Sequence, residues 1–154
     1  MTTLKKQINL GGNVAIYVIP SILISFISGD KILYSGTNPT YEIECAAESI
    51  QHVCKLSETR AGNLYIHTIT AFLPGYNKDT IEMLNRLRQY KSVVVVLRNG
   101  EGEYYRIGDN LEGLRLAFDF DSSKDPSGRN GFAIEISGPL TFSFKPVQMP
   151  AVPL

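Results

Sequence analysis

One segment with helical periodicity stands inside a chain whose other segments read as strands. That restricts the fold to a layered β structure carrying a single packed helix. The decisive stretch runs from Gly62 to Gly138. It reads as a strand over residues 64–73 stopped by Pro74-Gly75, a helix over 80–90 and a strand over 92–97 turned by Asn99-Gly100-Glu101-Gly102. Strands over 103–107 and 113–120, a polar loop over 121–130 and a strand over 132–138 complete it. Asp79, with Glu82 three residues on, resembles a capping box for the helix. Ile81, Met83, Leu84, Leu87 and Tyr90 form its apolar stripe, with Arg86, Arg88 and Gln89 off it. Eleven residues make a marginal helix alone, so the stripe must pack on a sheet. The unbroken run Val93-Val94-Val95-Val96-Leu97 predicts a strand covered on both faces, with the helix as one cover.

Upstream, residues 4–10 read as a short strand or arm. The apolar run 14–27 has Lys5-Lys6 before it, like a signal peptide. Gly11-Gly12-Asn13 separates the charges from the run, Pro20 splits it, it is rich in β-branched residues, and no Ala-x-Ala site follows. It therefore reads as strands 14–19 and 22–27 with a corner at Pro20-Ser21, and a cytoplasmic origin is expected. The run is too short for a membrane helix. Residues 31–35 read as a strand ended by the turn cluster Gly36-Thr37-Asn38-Pro39. Residues 41–46 and 49–56 alternate as strands, and a hairpin loop over 58–63 joins the latter to strand 64–73. A last strand over 140–145 precedes a proline-rich end. The chain thus divides into one domain over 1–145 and a flexible tail over 146–154. The expected class is mainly β: an antiparallel sandwich or barrel with one α-helix packed on it.

Chemistry is sparse. Of 154 residues, 15 are basic and 15 acidic, so the balanced charge supplies no long-range pull toward nucleic acid or membrane. Neutrality also removes a barrier to self-association. Cys45 and Cys54 read as free thiols, and without histidines at ligand spacing they make no zinc site. His52 and His67 are the two histidines. Cys54 lies two residues from His52 on one strand face, a thiol-imidazole arrangement that a nucleophilic enzyme would need. The plainer reading is two histidines satisfied within a sheet. Asp119, Asp121 and Asp125 superficially resemble a calcium loop. However, Lys124 stands where an EF-hand requires glycine, and Asn130 where its glutamate belongs. Arg86, Arg88, Lys91 and Arg98 near Tyr90, Tyr104 and Tyr105 form a basic-aromatic group of the kind that binds single strands, diluted by Glu82, Glu101 and Glu103. No catalytic constellation, cofactor motif or metal set emerges.

The order of short motifs adds a resemblance. Gly11-Gly12 leads to Ile16-Tyr17-Val18-Ile19-Pro20, then to Gly62-Asn63-Leu64-Tyr65 and Phe72-Leu73-Pro74-Gly75 before the helix. Asn99-Gly100, Tyr105-Arg106-Ile107-Gly108 and Arg129-Asn130-Gly131-Phe132 follow, ending in Ser137-Gly138. Over residues 11 to 145 this resembles tail or neck structural proteins of phages and prophages of Bacteroides-type bacteria, and the layout is similar to tail tube proteins. The resemblance implies a non-enzymatic virion subunit without cofactor or metal, assembled in the host cytoplasm into stacked hexameric rings. Its partners would be its own copies and other tail or neck proteins, with DNA only as passing cargo and no membrane. Glu42, Glu44, Gln51 and Lys55 are candidate channel-lining residues. Asp121, Lys124, Asp125 and Arg129 are candidate inter-subunit loop residues. Tube subunits carry a long exposed hairpin, whereas the turns near Gly36 and Gly62 look short here. The alternative is a monomeric carbohydrate- or protein-binding module, less favoured for sugar because tryptophan is absent.

Overall fold

The computed structural model describes residues 12–35, 40–46, 48–75, 77–121, 124 and 130–148. In chain order the elements are β1 (Asn13–Pro20), a 3-10 turn (Ser21–Leu23), β2 (Ile24–Ser28), β3 (Lys31–Tyr34), β4 (Tyr41–Ile43), β5 (Gln51–Thr59) and β6 (Gly62–Pro74). There follow α1 (Lys78–Arg88), β7 (Val93–Asn99), β8 (Tyr104–Ile107), β9 (Arg115–Asp121), β10 (Gly131–Leu140) and β11 (Lys145–Pro146). Two antiparallel sheets form a sandwich, ordered β11-β8-β7-β1-β4 and β5-β6-β10-β9, with β2-β3 as a separate hairpin. Neither sheet closes into a barrel. The expected class, mainly β with one helix, is what the chain adopts.

β7 explains the layering. Val93, Val95 and Leu97 point between the sheets, beside Ile16 and Val18 of β1. There they meet Ile69 of β6 and Ile134 and Ile136 of β10. Val94 and Val96 point the other way with Ala15, Tyr17 and Ile19, under Ile24, Ile27, Ile32 and Tyr34 of the β2-β3 hairpin. Burying each such aliphatic side chain contributes about 1.5–3 kcal/mol. The outward cover of β7 is therefore the hairpin. The helix instead sends Leu84 and Leu87 into the inter-sheet cluster and approaches β9.

Local chemistry sets the boundaries. Pro20 ends β1 at the expected corner, where Ser21 N–H donates to Ser92 O at 3.1 Å. The helix begins earlier than expected because Asn77, not Asp79, caps it: Asn77 Oδ1 accepts the Asp79 N–H at 2.8 Å. The strand expected over 41–46 stops at Ile43. The Asn99 turn forms as expected, its Oδ1 accepting from Glu101 and Glu103 N–H at 3.0 Å each.

The C-terminal end differs most. β10 runs through Gly138-Pro139 to Leu140, so no strand spans 140–145. Pro139 is tolerated because pairing with β9 ends at Ser137, leaving no strand on that side to need its missing N–H. Residues 141–144 then cross from the second sheet to the first, and β11 pairs with β8. Residues 146–148, counted with the tail on sequence, stay on the sandwich. Val147 is buried with its N–H on Tyr104 O at 3.2 Å, and Gln148 N–H reaches Asp30 O at 2.8 Å. The arm over 4–10, the turn 36–39 and the end 149–154 lie outside the described residues.

Candidate functional site

The outer face of the β5-β6-β10-β9 sheet has no layer over it among the described residues. Register places Gln51, Val53 and Lys55 beside Thr70, Thr68 and Ile66, and these beside Glu135, Ser137 and Pro139. Arg115, Ala117 and Asp119 of β9 complete the face. Val53 is 37% and Ile66 43% exposed, an apolar strip at the middle of a polar surface. Charge on the face is mixed: Lys55 and Arg115 against Asp119 and Glu135. A shallow cleft of about 320 Å³ runs over Ser49, Thr70, Phe72, Asp119, Ala133 and Glu135. β5 and β9 are the sheet's two edges. The β5-β6 hairpin also projects. β10 pairs with β6 only from Pro74 to Tyr65, while β5 pairs with β6 up to Gly62. Its turn is only the residues Arg60-Ala61, so the expected loop over 58–63 is mostly ladder, and from Leu64 to the turn the hairpin forms a short arm past the last β10 pair.

The four residues read as channel lining do not share a surface. Gln51 and Lys55 lie on the open face. Glu42 pairs with Tyr17, whose side chain belongs to the outward layer of the other sheet, so Glu42 faces the opposite side of the molecule. Glu44 is exposed past the end of β4. Asp121 is the last residue of β9, paired with Gly131, not part of a loop. Lys124 is exposed, and Asp125 and Arg129 lie outside the described residues. The basic-aromatic group also separates. Arg98 sits opposite Tyr104 on one face of the first sheet, and Tyr105 turns to the other. Arg88 and Tyr90 line a cleft of about 650 Å³ with Arg115. Among the described residues no three potential metal ligands converge.

The feature missed on sequence is a histidine pair. With a two-residue turn, His67 falls directly opposite Cys54 and diagonally beside His52. His52 Nε2 lies 3.0 Å from His67 Nδ1, with the rings nearly parallel at 14°. His67 is fully buried, and its Nε2 lies 3.3 Å from Phe142 O. A carbonyl only accepts, so His67 carries its proton on Nε2, and its Nδ1 accepts from His52 Nε2–H. Burial, then the neighbouring His67, lowers His52 to about 4. Burial lowers His67 too, opposed by its contacts with the Phe142 and Ser143 backbone. Cys54 Sγ is 3.9 Å from His67 Nε2, the nitrogen already donating to Phe142. Burial raises the Cys54 thiol and pushes Cys45 up to about 11. That is the reverse of the lowered thiol that nucleophilic chemistry requires. Knowing the turn length would have revealed the pair; nothing in the composition does.

Compared with protein-family models, curated proteins and solved structures, the chain matches none of them.

Proposed function

We propose that this chain is a non-enzymatic structural subunit of a phage tail, as tube or neck protein, or of a related injection machine. Copies join through strand edges into rings around a channel. The observation that carries the reading is the second sheet: an outer face that no described residue covers, two edge strands, and a hairpin whose tip runs past the end of β10. Edge strands are a liability for a lone protein and an asset for an assembling one, because ring closure satisfies their backbone groups. The bare face is the natural channel wall. Its interspersed Lys55, Arg115, Asp119 and Glu135 offer no continuous cationic track, so passing DNA would slide without being held. In this reading Gln51 and Lys55 line the channel, and Glu42 and Glu44 do not. The arm supplies the ring-to-ring contact that the sequence left wanting.

The second reading is a monomeric carbohydrate- or protein-binding module. Phe144, 49% exposed, favours it, because its ring lies 5.2 Å from Tyr105 and 5.8 Å from His52. Absolute mass by light scattering across a concentration series, followed by negative-stain imaging, separates the two. Rings or tubes are expected. A strict monomer at high concentration would remove the tube assignment and move weight to the binding module.

A further inference from the structure

Residues 141–148 bridge the sheets, and their fastenings are few. At the far end β11 pairs with β8 at two positions, Val147 N–H binds Tyr104 O, and Gln148 N–H binds Asp30 O. At the near end Thr141 donates to Glu112 Oε2 through its N–H at 3.3 Å and its Oγ1–H at 2.8 Å, and the segment then rests on the histidine pair. His67 Nε2–H holds Phe142 O, and Phe144 packs edge-on against His52. The pair is thus floored by β5 and β6 and roofed by this crossing.

The roof and walls offer a proton on either ring no anion among the described residues. Arg106 and Lys145 both sit over the Phe142 ring, at 5.6 and 5.1 Å from its centroid. From β5 the pair faces the Cys54 thiol, and from β8 the Tyr105 phenol, which donates to Asn13 Oδ1 at 2.6 Å. No carboxylate among the described residues acts on either ring. The hydrogen bonds themselves are full. A proton on His67 Nδ1 is accepted only when His52 carries its own proton on Nδ1 and offers Nε2 as acceptor. Either way the pair gains a charge that no carboxylate among the described residues partners.

We propose that the His52–His67 pair is an acid-sensitive latch: a proton taken up by the pair releases residues 141–148 from β8 while both sheets stay folded. Opening hydrates the imidazolium and bares the backbone edge of β8. The crossing yields first because it hangs on a handful of hydrogen bonds, whereas β6 and β10 are joined along ten residue pairs.

Amide hydrogen exchange of the full chain, followed residue by residue by NMR and corrected for intrinsic rates, tests this. Protection at Val147 and Gln148 should lie well below that of β6 and β10 at every pH, and between about pH 7.5 and about pH 5 it should fall on the order of tenfold. In His67→Gln, whose side-chain amide can still donate to Phe142 O, the fall should vanish. It should vanish equally in His52→Gln, which changes the less buried ring and carries the comparison if His67→Gln does not fold. Unchanged protection at Val147 in the native chain would overturn the latch. So would an undiminished fall in the variants, or Val147 and Gln148 as well protected as β6 and β10 at both pH values, which would mean that they exchange only by global unfolding.

Discussion

His52 Nε2 donates to His67 Nδ1 across 3.0 Å, and His67 Nε2 passes the chain of hydrogen bonds on to Phe142 O. The arrangement needs both rings neutral, and this fixes how stability varies with acidity. Both pKa values are lowered in the fold, His52 to about 4. As pH falls below the usual histidine value of about 6.5, the unfolded chain binds protons that the folded chain refuses. The contribution is therefore complete above about pH 6.5 and is lost as pH falls toward the folded values. Allowing for the partial exposure of His52, the loss is about 1–2 kcal/mol. Urea unfolding at neutral and mildly acid pH measures it, and His52→Gln should flatten the dependence. A native chain equally stable at both would contradict it.

Much of the architecture was legible because it is local. The four-valine run of β7, the stripe of α1, the corner at Pro20 and the Asn99-Gly100 turn each carry their signal within a few residues. What was not legible is long-range. Nothing near Tyr17 says that it lies between Val96 and Glu42, yet that register sends Glu42 away from Gln51 and Lys55. The strand expected over 140–145 failed because the chain changes sheets there, a choice made by β8 and the Phe142 contact. The histidine pair depended on a turn of two residues where a loop of six was read, since shifting hairpin register by one residue would put His67 on the other face.

Gly131 is a strict requirement of the fold. It stands between Pro74 of β6 and Asp121 of β9, at φ +151°. A Cβ there would overlap the Leu73 carbonyl oxygen and press on the Phe72 ring. Backbone cannot give way as a side-chain tip can. Gly131→Ala should cost about 2–4 kcal/mol, from strain and overpacking together. A thermal midpoint within a degree of the native one would refute this account of the position.

The helix cap has a smaller, separable effect. Asn77 Oδ1 satisfies one of the orphan N–H groups of α1, and Asp79 beside it does not cap. Asn77→Ala should cost about 1 kcal/mol, lowering the thermal midpoint by about 2–4 °C. Asn77→Asp should cost little, because a carboxylate caps as well and suits the helix dipole. Equal losses in the two variants would mean that the side-chain oxygen is not the source of the effect.

The two thiols give a direct chemical check on whether His52, His67 and Cys54 form a reactive site. Burial holds the Cys45 thiol at about 11 and raises that of Cys54, so little thiolate exists at neutral pH. The imidazole nearest Cys54 offers it no basic nitrogen, because His67 Nε2 is already a donor to Phe142 O. Alkylation by iodoacetamide at neutral pH, followed by mass spectrometry, should therefore be at least about tenfold slower for Cys45 than for a free cysteine, and slower for Cys54 as well. In urea both should react at the ordinary rate. Rapid, selective alkylation of Cys54 in the folded chain would instead identify an activated thiol, and the structural-subunit reading would have to yield to an enzymatic one.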